Sequence, residues 1–508
     1  MMNKMLRIPE PLLLFGNKQS LEDPRDGLAL FGPHDGSATG LRAGVVGTRD
    51  GIRRFKKWVQ SIQRPVGIEH SARFRPPFPG FEAVFGIPWK PEPVLEIPID
   101  STDLDRVLSI DDRHIRIFKT VDVFTAALDQ ARTNEDARAD VWFIVIPDKV
   151  HKLCTPRSFV PTLDRIVAEG KMKASYARSL KRAPSLFPEM DGDPEPYLFD
   201  PDFRRQLKAR MLRHGILTQI LKESTIAPQD FPDGFGRPAR NLEKRLAEVA
   251  WNVSTAAFYK LGARPWKLSG VREGVCYIGL VFKNDEKSPD QSTACCAAQM
   301  FLDSGDGVVF KGRVGPWYSG KRGRFHLSRD AACELLSKAL ADYRSRMNGA
   351  NPKEVFIHGR TSFSDDTEWQ GFQDAVVGAD TNLVGVSIRH ADQFRLYRRD
   401  GSLPILRGLG LALGERSAML ATSGFVPRLQ TYYGAEVPVP LSISIRRGEA
   451  DIATVMADVL GLTKLNYNSC RHSDGLPVTL KFADAVGEIL VSGPSSTEDP
   501  PLQFRYYI

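Results

Sequence analysis

Runs of apolar residues separated by polar turns set out most of the elements of this chain. Val141–Ile146 (VWFIVI) is six consecutive apolar residues closed by Pro147, the pattern of a strand buried on both faces of a parallel sheet. Phe203, Leu207 and Met211 then recur every fourth residue, and Gly215 stands where a helix C′ residue belongs, which predicts a helix over about 201–214. A strand over 216–221 and a long helix over 242–261, closed by Gly262, continue the alternation that builds a parallel α/β domain. A second α/β region starts near Trp266, with strands expected at 275–282, 308–311, 354–358 and 382–388. Between the second and third of these lies a helix that Ser328 can cap, with Asp330 in its first turn and Arg344 and Arg346 in its last. A polar loop over 492–501 precedes a final strand-like 502–508. Residues 1–140 instead carry dense turn chemistry (Gly32-Pro33, Pro76 to Gly80, Pro88 to Pro93) and predict short strands and connections wrapped over the other domains.

Composition narrows the class without naming a chemistry. At 508 residues the chain suits two or three domains, and 42% hydrophobic with 26% charged residues is ordinary for a folded soluble protein. The apolar run Leu12, Leu13, Leu14, Phe15 is too short for a signal segment, and no stretch approaches 18 uninterrupted apolar residues, so a cytoplasmic protein with no membrane partner is expected. The six cysteines form no CxxC pair and no zinc-knuckle spacing, which predicts reduced core thiols and no zinc. Of the formal net charge of +8, residues 201–270 alone supply thirteen Lys or Arg against six Asp or Glu. Such a cluster suits a polyanion, phosphate being the common one, and equally suits a solvated helix face.

One segment sharpens the choice. In 203–219 (FRRQLKARMLRHGILTQ), Arg204 and Lys208 are four residues apart and share a face beside the apolar stripe. Two neighbouring cations repel unless an anion lies between them, so the pair is a cost without a ligand and an asset with one. Gln219 follows the turn at Gly215 as a neutral donor, and Lys260 sits in the last turn of the later helix.

In this order, a basic residue, x3, Lys, then GI-x-TQ, then a helix ending N-x7-KLG-x2-PW, the chain resembles the MID domain of Argonaute proteins. The resemblance implies that Arg204, Lys208, Gln219 and Lys260 grip the 5′ phosphate of a guide. Ala256 stands where many members have another Lys, which implies a weaker phosphate grip or else help from a metal ion: Mg2+ held by the guide phosphate, Gln219 and the terminal carboxylate of Ile508. The segments 271–282, 354–360 and 463–483 resemble PIWI-domain strands, and DPRDGLALFGP, FPGFEAVFG, CCAAQMFLD and GEADIATV resemble the Argonaute subunit of the short prokaryotic Argonaute, TIR-APAZ (SPARTA) system. The expected architecture is therefore a Rossmann-like MID domain over 141–265 and an RNase H-like PIWI domain over 266–508, with 1–140 as an extended Pro/Gly-rich N-terminal segment.

A PIWI nuclease needs carboxylates on adjacent strands to hold two metal ions. By the resemblance those places are held by Val281 and Gly359, which cannot ligate magnesium, while Asp285, Glu286, Asp365 and Asp366 lie in predicted loops. The expectation is a PIWI domain without nuclease activity and no nucleotide cofactor in this chain. Lys311, Arg313, Lys321, Arg322 and Arg324, around Trp317 and Tyr318, are candidate contacts to a nucleic-acid backbone, or else a solvated loop. The resemblance further implies a guide RNA, a complementary single-stranded DNA target and a TIR-APAZ partner that hydrolyses NAD. It implies a heterodimer that becomes a tetramer of heterodimers on target binding and kills the invaded cell. The alternatives are a guide-directed endonuclease using displaced carboxylates, or the same recognition role with a sirtuin-like or nuclease effector.

Overall fold

The computed structural model describes residues 4–36, 38–67, 75–132, 138–167, 172–183, 193–232, 245–270, 272–284, 294–301, 307–315, 318–319, 324–363, 366–432, 434, 436–493 and 503–508; over 294–324 the description is of the backbone. The chain starts with β1 (Lys4–Arg7) and then builds a four-stranded parallel sheet. Its members are β2 (Ala43–Thr48), β3 (Leu95–Ile99), β4 (Val141–Ile146) and β5 (Thr218–Lys222), in spatial order β3-β2-β4-β5. Helices α1 (Arg49–Ser61), α2 (Arg113–Arg132), α3 (Phe203–Leu212) and α4 (Leu246–Lys260) accompany it. Every residue of β4 is buried, as its unbroken apolar run requires of a strand covered on both faces.

The boundary expected at residue 140 does not divide the sheets. β2 and β3, from the segment anticipated as a wrapping, are two of the four strands of the first domain, and β1 joins the other sheet. The glycines of β2 (AGVVGT) and the proline of β3 (LEIPI) interrupt the apolar pattern that marks a strand. Packing explains both glycines: a Cβ at Gly44 would lie 2.6 Å from the Trp142 ring of the adjacent strand, and one at Gly47 2.7 Å from the Val145 carbonyl oxygen of that same strand.

The second domain is a nine-stranded mixed sheet. Its strands are β6 (Val275–Asn284), β7 (Ala294–Phe301), β8 (Gly307–Gly315), β9 (Glu354–Gly359), β10 (Asn382–His390), β11 (Leu409–Ala412), β12 (Ser417–Leu420) and β13 (Leu441–Arg447), together with β1. The spatial order is β1-β11-β12-β13-β10-β9-β6-β7-β8, with β6, β9 and β10 mutually parallel at its centre. Helix α5 (Arg329–Arg346), capped by Ser328 as expected, covers one face through Leu335, Leu336 and Leu340; α6 (Ile452–Leu462) and α7 (Val478–Leu490) cover the other. One continuous apolar cluster runs from Val45, Phe143 and Trp251 of the first domain to Val384, Ile443 and Val455 of the second, so the two domains share a core.

Two local expectations are corrected. Residues 463–483, anticipated as a strand, hold the turn after α6 and the start of α7. In VTLKFADAVGEIL the buried Val478, Phe482, Val486 and Ile489 follow a helical period that the alternation over 478–482 disguises. The strand anticipated over 502–508 is a short 3-10 turn, Phe504–Tyr506, with Phe504 stacked on Phe482. α7 also approaches β6 closely enough that a Cβ on Gly279 would stand 1.8 Å from the Thr479 carbonyl oxygen. Gly279→Ala should therefore overpack this contact and destabilise the fold by about 1–3 kcal/mol, read as a lower midpoint in denaturant unfolding.

Among the described residues, Cys154, Cys276 and Cys470 are buried free thiols, with burial pushing Cys154 and Cys470 up to about 12. Cys295 and Cys296 fall on β7, where only the backbone is described. No described helix is long and apolar enough to cross a membrane.

Candidate nucleic-acid interface

Helix α3 is fixed at its start by Asp202, whose side chain accepts from Arg205 N, and along its length by buried Phe203, Leu207 and Met211. That orientation carries Lys208 inward, to 3% exposure, where its Nζ donates to the carbonyl oxygens of Thr218 (3.2 Å) and Ile508. β5 brings Gln219 alongside. Lys260, wholly buried at the end of α4, donates to Gln219 Oε1 (3.0 Å) and to the same Ile508 oxygen (2.9 Å). Arg204, one turn before Lys208, stays exposed. The four residues singled out in the sequence, with Ile508, thus come from four separate segments to one place.

The electrostatics are those of an anion site. Burial pushes the Lys208 ammonium well below its ordinary range, and Lys260 and Arg204 add to the shift. Burial, with Arg204, lowers Lys260 to about 7. Holding buried like charges together is unfavourable unless an anion joins them. A phosphoryl group with its oxygens among the three cations would gain charge-assisted hydrogen bonds from all of them. Gln219 Oε1 and the Ile508 oxygen both converge on Lys260 and are hard oxygen donors. Both already accept from Lys260, so a magnesium ion that keeps several waters and shares phosphate oxygens would have to replace that ammonium on them.

A second basic region was not visible in the sequence. A cavity of about 390 Å³ is lined by Arg25, Arg75, Arg245, Arg407 and Arg471 together with Glu248, Asp474 and Tyr432; Arg245 and Arg471 pair with Glu248, Arg25 with Asp23 and Arg407 with Glu10. Arg471 belongs to the RHSDG phrase, but the other four arginines come from four distant segments, so no sequence window gathers them. The cavity lies at the start of α4, about 20 Å along that helix from Lys260 at its end. Behind the cavity wall is a buried ion cluster. Glu10 accepts from Arg407 Nε (3.0 Å) and Lys464 Nζ (2.7 Å), while His472 lies between Glu10 and Asp23.

At the centre of the larger sheet, Gly359 of β9 pairs in register with Leu280 of β6, so Val281 and Gly359 stand at adjacent strand positions. Val281 is buried in the shared core. Asp366 is engaged by Arg447 (2.5 Å), and Asp285, Glu286 and Asp365 lie outside the described residues. His358 is wholly buried, hydrogen-bonded through Nδ1 to Thr479 Oγ1 (3.1 Å), and held neutral by burial, which lowers it to about 3; its place is structural. Lys311 and Arg313 fall on β8 and Arg324 on a short strand, where only the backbone is described. Lys321, Arg322 and Trp317 lie outside the described residues.

A parallel-sheet domain packed through one core on a mixed sheet of this order is the fold of the Argonaute and Piwi proteins. The chain is similar to the solved structure of Clostridium butyricum Argonaute bound to a guide DNA and a 19-mer target DNA (TM-score 0.63, 14% identity), covering 99% of this chain and 55% of that one. It is similar also to Drosophila Piwi (TM-score 0.57, 13% identity, 99% and 56% covered) and to Aa-Ago with externally bound siRNA (TM-score 0.55, 14% identity, 99% and 56% covered). The chain thus spans a little over half the length of these proteins. No protein-family model and no curated protein matches the sequence.

Proposed function

We propose that this chain binds a 5′-phosphorylated guide nucleic acid and uses it to recognise a complementary strand without cutting it. The observation that carries the reading is the convergence of buried Lys208 and Lys260 with Gln219, and of exposed Arg204 one turn away, on a place where neighbouring cations favour an anion. The likeness to Argonautes solved with guide, target or siRNA supports the class of ligand. Gln219 and Ile508 would hold a magnesium ion against the guide phosphate, adding positive charge there. The arginine-lined cavity at the other end of α4 is suited to later backbone phosphates of the same strand.

Following the short prokaryotic Argonaute resemblance, the guide is RNA, the target single-stranded DNA, and the output a TIR-APAZ NADase in a separate chain. That chain would form a heterodimer with this one and assemble into a tetramer of heterodimers on target binding. The cytoplasm is the compartment this role implies. Nucleic acid copurified with the protein should carry a 5′ phosphate, and 5′-phosphorylated RNA should outcompete the 5′-hydroxyl form by about 1000-fold or more, the worth of three charge-assisted contacts at about 1.5 kcal/mol or more each. Equal affinity for the two forms would overturn the reading.

The absence of oxygen donors at Val281 and Gly359 supports a non-cleaving PIWI domain. A loaded complex given matched target with magnesium or manganese should yield no product above background. Guide-length cleavage would instead favour an endonuclease.

A further inference from the structure

Three adjacent parallel strands of the larger sheet end on the same edge, and each has a cation at or next to its end. Lys283 lies near the end of β6, Arg360 directly follows β9, and Arg389 lies near the end of β10. The register places Gly359 level with both Leu280 and Ser387, so the three chain ends are side by side. Ligands of open α/β sheets bind in the crevice outside the carboxyl ends of parallel strands. In this fold, two-metal chemistry at that edge requires several carboxylates.

The residues present do not fit such a metal pair. The acids at this edge with described contacts are Asp484 and Glu488, one turn apart on α7, and both are already engaged. Lys283 Nζ lies 2.7 Å from Asp484 and 3.4 Å from Glu488, and Arg205 takes the other oxygen of Glu488 at 3.0 Å. A divalent ion would have to displace an ammonium group from Asp484 and would gain no oxygen from Val281 or Gly359. The arginines are less compensated. Arg360 is half exposed and reaches Asp484 only at 3.9 Å. Arg389 donates Nε to the Arg360 carbonyl (2.6 Å) and faces Arg446, a like charge.

We propose that Arg360 and Arg389, braced by Lys283, bind a phosphodiester of the strand paired to the guide, supplying directly the positive charge that metal ions provide in a cleaving enzyme of this fold. This rests on the guide-binding reading above. Lys283 neutralises the acids that would repel a phosphate, and the two guanidinium groups present donors suited to its oxygens. Target capture at this edge then requires no divalent ion.

The test is Arg360→Ala/Arg389→Ala in the full chain, loaded with 5′-phosphorylated RNA. Guide retention and binding of complementary single-stranded DNA are measured in the same samples across a salt series, with and without EDTA. The expected result is unchanged guide retention, target affinity lower by about tenfold or more, and a log–log salt slope shallower by about 1–2. The unsubstituted complex should keep its target affinity in EDTA while its guide stays bound. Target binding by the double variant equal to that of the parent overturns the proposal, as does loss of target affinity in EDTA from a complex that keeps its guide. Loss of guide alone in the variant would assign the edge to the guide strand and overturn the target assignment. Failure of the unsubstituted protein to retain any phosphorylated guide would instead count against the reading beneath it.

Discussion

Lys208→Ala should lower affinity for a 5′-phosphorylated guide by about 100-fold or more, measured by filter binding or fluorescence anisotropy with RNA of matched sequence. The residue is buried and shares Ile508 with Lys260, so its ammonium would meet a phosphoryl group in a place that water does not screen. Removing one member of a buried charge-assisted set costs about 2–5 kcal/mol, and each 1.4 kcal/mol is a factor of ten. The same variant should bind 5′-hydroxyl RNA almost as the parent does, because the lost contact is to the phosphate. Arg204→Ala, at an exposed position, should give a smaller loss of the same kind. A charge reversal at Lys208 is a poor probe of binding: it would set a buried carboxylate against the Ile508 and Thr218 oxygens and disturb the fold itself. If Lys208→Ala lowers affinity for phosphorylated and unphosphorylated RNA equally, the site is not reading the 5′ end.

The largest expected effect on stability lies elsewhere, at Glu10. Its carboxylate faces Arg407 and Lys464, whose side chains are almost wholly buried. Burial alone would raise the Glu10 pKa, but Arg407, a hydrogen bond from His472 and Lys464 outweigh it and hold the group well below the usual carboxylate range. Asp23 behaves alike: burial opposes ionisation, while His472 and Arg25 outweigh it. Glu10→Ala would leave two buried cations without their acid, a loss of about 3–5 kcal/mol in denaturant or thermal unfolding. The sign of the pH dependence follows. Both carboxylates have depressed folded-state values, so their stabilisation is fully present above their unfolded values near 4 and is lost as pH falls toward the folded ones. Acid unfolding of the parent should therefore steepen below about pH 5, and Glu10→Ala should flatten that limb. An unchanged acid limb would show that the cluster does not couple to folding.

Much of the architecture was legible because burial leaves a periodic trace. Val141–Ile146 could only be a doubly covered strand, and the four-residue recurrence of Phe203, Leu207 and Met211 fixed the face of α3 and hence the shared face of Arg204 and Lys208. β2 and β3 left no such trace, since Gly44 and Gly47 serve close packing between strands and Pro98 lies on the edge strand β3. The strand misreading over 463–483 came from a helix whose first residues alternate as a strand's would.

The sequence by itself determined that Arg204 and Lys208 stand four residues apart beside the apolar stripe of α3, because this follows from local spacing; which strand positions to compare for carboxylates came from the resemblance. Only the tertiary structure decided that Lys208 and Lys260 are buried against Ile508, that five distant arginines line one cavity, and that Lys283, Arg360 and Arg389 end side by side. Those facts depend on how sheets close and chains cross. Charge and dielectric act through space, and residues hundreds of positions apart share an electrostatic environment once the core has formed.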